Sequence, residues 1–350
     1  MITIGKEILI INELDSGATS TVYLVKSFKN EEIYAAKVYN EPSNYYLNEI
    51  EILKRLSLLN CPNIIKLISY GEEYIINNGI PEKEKKQYIL IDYLPNKDLF
   101  FYVSNLKEMN ESNIKSIFYK IVKTVEQCHN KGVCHRDLKL ENIMFNANNE
   151  PVLCDFGLSG LIDTNDGKLT EFIGTKSYAA PEILRHEPYS GIKCDIFSLG
   201  VILFTLMIHK FGFSKASSND KYYYLIKKKK FNQYWDEIGK KIGQEKVNNI
   251  SKEFKELYFK MVAYSPNDRP SIKEILNNKS ARYYTKNHFN NDFELSQIKN
   301  KKTVKNIFNA NTNIYLINKT RNNSQLNSKY IDNDKINKKC RKKKDKDKEK

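Results

Sequence analysis

Two short stretches hold residue types that could move a phosphoryl group. His135 to Asn142 reads HRDLKLEN, and thirteen residues after Asn142 comes Asp155-Phe156-Gly157, preceded by the apolar run Pro151, Val152, Leu153, Cys154. A hydroxyl nucleophile needs a carboxylate placed to accept its proton, and Mg²⁺ needs hard oxygen ligands that leave room for phosphate oxygens. Asp137 suits the first task, Asn142 and Asp155 suit the second, and Lys139 adds a cation between them. An Asp-Phe-Gly tripeptide alone is usually a turn after a strand. Its weight here comes from following an eight-residue pattern at a short interval.

Elements of regular period must hold these loops in place. Ile8 to Leu14, Val22 to Val25 and Ile33 to Tyr39 have strand-like apolar density, with a short loop from Asp15 to Ser20. Residues from about Asn44 to Leu59 carry Ile50, Leu53 and Leu56 at helical spacing, and Glu51 falls on another face as a surface charge. Glu72 to Gln87 is polar and is expected to be a longer loop between two strands, the second being Tyr88 to Ile91. Asn110 to Lys131 is the clearest helix: Ile114, Ile117, Phe118, Ile121, Val122, Val125 and Cys128 trace one face, and Gly132 is a natural C-cap. Ile196 to Ile208 is apolar but short of the roughly 20 residues of a spanning helix, so no transmembrane segment is expected and a buried core helix is.

The catalytic-loop pattern H-R-D-L-x-x-x-N and the D-F-G tripeptide are matched at every fixed position, and the chain resembles the eukaryotic protein kinases. The resemblance implies an α+β, bilobal protein-kinase fold over residues 8–284. Its small β-rich lobe would cover about 8–91, the hinge 92–95, and a larger helical lobe about 96–284. It further implies ATP and Mg²⁺ as cofactors and protein Ser/Thr hydroxyls as acceptors. Asp137 would orient the substrate hydroxyl, Lys139 would stabilise the transferring group, and Asn142 and Asp155 would bind metal. Lys37, in Ala35-Ala36-Lys37-Val38, would hold the α- and β-phosphates, with Glu49 as its acidic partner. Val22, Ala35, Leu94 and Met144 would line the nucleotide, Ile91 would be the gatekeeper, and Asp92 would open the hinge. Asp98 matches an acidic position that in many relatives contacts ribose or a basic substrate residue.

Departures from the family pattern are local. In the glycine-rich phosphate loop only Gly17 and Val22 are kept, with Asp15 and Ser20 at the other two glycine positions. A stiffer loop follows, and an inward Asp15 would repel the nucleotide. Cys61 replaces the histidine of H-P-N-I, and Phe197 replaces the tryptophan in Asp195-Ile196-Phe197-Ser198-Leu199-Gly200. Asp195 is read as structural, and Arg269 as the partner of Glu182 in Ala180-Pro181-Glu182. Arg136 corresponds to the arginine that grips an activation-loop phosphate in relatives. Two readings stay open: an upstream kinase modifies Thr170, or Glu171 supplies a constitutive charge. Lys139 and Thr175 favour serine/threonine specificity. Asp98, Glu141 and the Y-A-A-P-E stretch lean towards the calmodulin-dependent and AMP-activated groups, which implies substrates with basic residues before the phosphoacceptor.

With 57 Lys and Arg against 42 Asp and Glu, the chain of 350 residues carries a formal charge of +15. Its hydrophobic content of 41% allows a large core and excludes global disorder. The six cysteines form no C-x-x-C pair, which argues for a reducing compartment and against a zinc or disulfide framework. The N-terminus shows no secretory pattern, so a cytoplasmic location is expected. Residues 285–350 are Asn- and Lys-rich, and 338–350 hold nine basic and three acidic residues, the composition of a disordered basic tail. Nuclear import, an anionic-membrane contact and an inert tail are all open for it, the tail's partner being unknown. The lysine run Lys227 to Lys230 reads as a solvated face. The eroded glycine loop supports an alternative, a pseudokinase or scaffold with weak nucleotide binding. Charge and tail alone support a third reading, a nucleic-acid-binding protein.

Overall fold

Strand-forming residues fill the first part of the chain and wrap into a closed barrel. The computed structural model describes residues 1–105, 111–162 and 168–277. β1 (Ile2–Ile4), β2 (Ile8–Ser16), β3 (Ser20–Ser27), β4 (Ile33–Tyr39), β5 (Leu67–Asn77) and β6 (Ile80–Asp92) pair antiparallel in the order β1-β2-β3-β4-β6-β5. Ile4, Ile8, Val25, Tyr34, Ala36, Val38 and Leu90 fill its interior. β1 lies upstream of the expected start at residue 8 and closes the barrel by pairing with both β2 and β5. Between β4 and β5 lies α1 (Asn44–Ser57), capped by the Ser43 hydroxyl accepting from the Tyr45 amide. Glu51 is exposed on it, as its helical position implies.

The expected loop over Glu72 to Gln87 is corrected: these residues form the distal ends of β5 and β6. Asn78 (φ 50°) and Gly79 (φ 85°) both adopt the left-handed backbone that a two-residue hairpin turn demands. Ile75 packs against the barrel core, most of the other side chains are polar and exposed, and the ladder satisfies the backbone. Glu73 lies opposite Lys86 and Tyr74 opposite Lys85, whose ammonium stands 5.6 Å from the tyrosine ring centre.

Helices dominate the rest. α2 (Leu99–Asn105) and α3 (Glu111–Asn130) lead to the loop from His135 to Asn142, and Asn110, the expected first residue of α3, lies outside the described residues. The seven residues of the expected apolar stripe on α3 are all buried, and Gly132 ends the run at φ +71°. Short strands β7 (Val133–Cys134), β8 (Ile143–Phe145), β9 (Pro151–Leu153) and β10 (Gly160–Leu161) flank the two motif loops, with β8 on β9 and β10 on β7. β11 (Lys168–Leu169) pairs with β12 (Tyr189–Ser190), bracketing α4 (Pro181–Leu184). α5 (Gly191–Ile208) is followed by α6 (Lys221–Lys227), α7 (Phe231–Ile242), α8 (Gln244–Asn248), α9 (Lys252–Met261) and α10 (Ile272–Asn277). Among the described residues α5 is the one helix long and apolar enough to cross a membrane, yet 78% of it is buried within the protein, as a core helix requires. Lys228 to Lys230 are exposed, and Lys229 pairs loosely with Asp268 at 3.8 Å. The expected domain end at 284 and the basic tail lie outside the described residues.

Candidate active site

Backbone geometry at the two loops is unusual for non-glycine residues. Arg136 (φ 66°) and Asp155 (φ 62°) both sit in the left-handed region, each beside the residues that could do chemistry. Asp195, 1% exposed at the start of α5, holds the first of these bends. Its carboxylate accepts from the His135 amide (2.8 Å), the Arg136 amide (2.9 Å) and the His129 ring (2.8 Å). The structural role expected for Asp195 is thus explicit. The His135 ring reaches the Cys154 carbonyl at 3.0 Å and lies against Phe156, tying the two loops together.

Asp137, 5% exposed, is held at both oxygens. Oδ1 accepts from the Thr175 amide and hydroxyl, each at 2.8 Å, and Oδ2 lies 2.9 Å from Lys139 Nζ. Asn142 Nδ2 donates to the Asp137 carbonyl at 2.9 Å, which leaves the amide oxygen of Asn142 as the acceptor for a cation. Lys139 Nζ also reaches the Thr175 hydroxyl at 3.3 Å, so the loop and the segment after it close around one carboxylate.

Lys37 Nζ bridges Glu49 Oε2 and Asp155 Oδ1, both at 2.7 Å. Burial alone would push the Lys37 ammonium down, but the two carboxylates outweigh it and hold its pKa above the ordinary lysine value. Burial would likewise raise Asp155, and Lys37 overrides it so that the carboxyl lies below its usual range. Both groups are therefore charged at neutral pH. Glu49 is 3% exposed, whereas the Asp155 side chain is 46% exposed, open enough to meet a cation. Asp155 and the Asn142 amide oxygen are hard donors, a set that fits Mg²⁺ completed by phosphate oxygens.

Strand register pairs several of the remaining expected residues. Val22 faces Lys37, Ala35 faces Ile91, and Asp98 bridges to Met144 across the backbone. Asp98 also caps α2, its Oδ1 accepting from the Phe101 amide at 2.7 Å. Asp92 and Leu94 lie with Glu31, Tyr34 and Asn146 on a cavity of about 590 Å³, which Lys37, Asp137 and Asp155 do not line. Burial raises the Asp92 carboxyl. Near the end of β2, opposite Val22, Asp15 is exposed and its Oδ1 accepts from the Ser16 amide at 2.9 Å, turned onto its own backbone. Gly17 donates to the Ser20 carbonyl, and the Asn40 side chain donates to the Ala18 carbonyl. This bracing replaces the freedom of the missing glycines.

Two residues escaped sequence reasoning. Tyr39 OH donates to Glu49 Oε2 at 2.6 Å, and Asn48 Nδ2 donates to both the Gly157 and Ser159 carbonyls at 2.9 Å. A signal for Tyr39 existed, since residues two apart on a strand share a face and it follows Lys37 by two. Asn48 had none.

Arg136 is bound to the Leu158 carbonyl (2.7 Å), the Ser159 carbonyl (3.0 Å) and Glu171 Oε2 (2.7 Å). Its side chain is 8% exposed, and Glu171 gives this buried cation a carboxylate. Thr170 is exposed.

The sequence matches the protein kinase domain family over residues 9–280. It is 30% identical over 263 residues to the mitosis inducer protein kinase cdr1 of Schizosaccharomyces pombe, covering 75% of this chain and 40% of that protein. CBL-interacting serine/threonine-protein kinase 15 of Arabidopsis thaliana is 30% identical, over 75% of this chain and 58% of its own. Probable serine/threonine-protein kinase MARK-C of Dictyostelium discoideum is 31% identical, over 72% of this chain and 29% of its own. The chain thus spans less than two thirds of the length of each of these relatives. A barrel that carries a Lys37–Glu49 pair over a loop presenting Asp137 and Asn142, matched across residues 9–280 by one family, leads to one conclusion: the chain belongs to the protein kinase family.

Proposed function

We propose that the chain is a serine/threonine protein kinase that transfers the γ-phosphoryl group of ATP to protein hydroxyls. The observation that carries this is the assembled charge set: Lys37 between Glu49 and Asp155, and Asp137 between Thr175 and Lys139. A chain kept only as a scaffold has no need of it, so the pseudokinase alternative is not favoured. In this reading Asp155 and Asn142 hold Mg²⁺, which neutralises phosphate charge, and Lys37 orients the α- and β-phosphates. Asp137 accepts the hydroxyl proton while Lys139 offsets charge on the transferring group. Gly17, Val22, Ala35, Leu94 and Met144 bound the nucleotide. Membership of the calmodulin-dependent and AMP-activated groups, a preference for basic residues before the phosphoacceptor, and a cytoplasmic location with nuclear entry through the tail belong to the same proposal.

Incubation with labelled ATP·Mg²⁺ and a serine/threonine peptide library tests it. Label on serine and threonine, strongest where Arg or Lys precedes the acceptor, is the expected result. Nucleotide binding without transfer to any peptide would return the scaffold reading.

Glu171 is proposed as the charge that Arg136 needs, in place of a phosphate on Thr170. Thr170→Ala is then expected to retain activity within about twofold, while Glu171→Gln loses about tenfold, the worth of one charge-assisted hydrogen bond. The reverse pattern assigns control to an upstream kinase acting on Thr170.

A further inference from the structure

Glu49 is asked to do one thing in two circumstances. In the free protein its Oε2 takes Lys37, which also binds Asp155. When a nucleotide draws Lys37 towards phosphate and a metal draws Asp155 away, a buried carboxylate resting on Lys37 alone would lose much of its hold. Tyr39 supplies a donor that phosphate does not compete for. It ends β4 on the face that carries Lys37, is 1% exposed, and donates its hydroxyl to the same Glu49 Oε2 at 2.6 Å. Burial first and Glu49 second push the phenol far above its ordinary pKa, so the proton stays on tyrosine and the group is a permanent donor.

The ring has a separate task. It packs edge-on against Tyr46 of α1 at 5.4 Å and 75°, and the Tyr46 hydroxyl donates to the Gly71 carbonyl of β5 at 3.1 Å. Ring and hydroxyl therefore fasten α1 to the barrel at different points. Removal of the oxygen alone leaves the packing in place.

We propose, on the kinase reading above, that Tyr39 is a positioning residue for phosphoryl transfer, its hydroxyl fixing Glu49 so that Glu49 can fix Lys37. Its effect falls on the nucleotide and not on the peptide.

Tyr39→Phe tests this, with steady-state kinetics in both substrates and, in parallel, displacement of a fluorescent ATP analogue in Mg²⁺. The expected result is a loss of about tenfold in kcat/KM for ATP with the peptide KM unchanged, the size of one hydrogen bond to a charged acceptor. In a Glu49→Gln background the same change should add less than about twofold, because the hydroxyl then has no carboxylate to steer. Wild-type nucleotide parameters in Tyr39→Phe, or an equal loss in both backgrounds, would overturn the proposal. If the wild-type chain binds nucleotide without transferring it, the phosphotransfer reading fails alone. The affinity of Tyr39→Phe for the analogue then decides: about tenfold weaker supports the positioning role and unchanged overturns it.

Discussion

Asp137→Asn is expected to lower phosphotransfer by roughly 10²–10⁴-fold, the contribution of a positioned general base, while leaving ATP·Mg²⁺ affinity close to wild type. The size follows from what Asp137 touches. One oxygen accepts from the Thr175 amide and hydroxyl, and the other faces the Lys139 ammonium. An amide in this place has one oxygen to offer. Whichever way it turns, an NH₂ group meets either the Thr175 amide donor or a cation, so proton acceptor and local orientation go together. Nucleotide binding is spared because Lys37, Glu49 and Asp155 form a separate set of contacts. Labelled transfer and analogue displacement measured on the same preparation separate the two effects. Activity within about tenfold of wild type would remove Asp137 from the role of proton acceptor.

Most of the site was legible because chemistry constrains both residue type and local spacing. The loop from His135 to Asn142 holds the proposed proton acceptor and the proposed metal ligand five residues apart, so their proximity is visible in the chain itself. Lys37 and Glu49 are twelve residues apart, and a strand followed by a helix is the reason they meet. The clearest helix was legible for the same kind of reason: the apolar face of α3 repeats at helical period from Ile114 to Cys128, about four turns, and each residue named on it is buried.

What was missed depended on partners distant in sequence or on strands held more by their ladder than by burial. Glu72 to Gln87 looked like a loop because charges occupy both faces. Its strands are held by the ladder and cross-strand pairs, and the Asn78-Gly79 turn was the overlooked signal. β1 is too short for periodicity to register, and only its pairing with β2 and β5 gives it identity. Asp15 was expected to threaten the nucleotide if it pointed inward, and it turns onto the Ser16 amide instead. A short acidic side chain turns onto the nearest free backbone donor, which sequence does not display. Asn48 acts on the Gly157 and Ser159 carbonyls more than a hundred residues away, a contact no local pattern encodes.

Arg269→Ala is expected to cost about 3–5 kcal/mol of stability, the penalty for leaving one member of a buried ion pair alone. Arg269 is completely enclosed and Glu182 is 3% exposed. The pair is bidentate, Nη1 to Oε1 at 2.6 Å and Nη2 to Oε2 at 2.7 Å, with further donation to the Lys193 and Ala263 carbonyls. Alanine would leave the Glu182 carboxylate with the Cys194 thiol, a weak donor 3.4 Å away. Lysine is not a conservative replacement, because one ammonium cannot reproduce the fork. A melting temperature lower by about 10 °C is the expected readout for a domain of this size. Replacing both partners, Arg269→Met with Glu182→Leu, should recover much of the loss, since no unpaired charge remains. The two variants also separate stability from catalysis. Glu182 opens α4, directly after the segment in which Thr175 holds Asp137 and the Tyr178 carbonyl accepts from Ser198. If the pair chiefly fixes geometry, the stable double variant should still transfer phosphate more slowly than wild type at temperatures where both are folded. Full activity in that variant would make the pair a matter of folding alone.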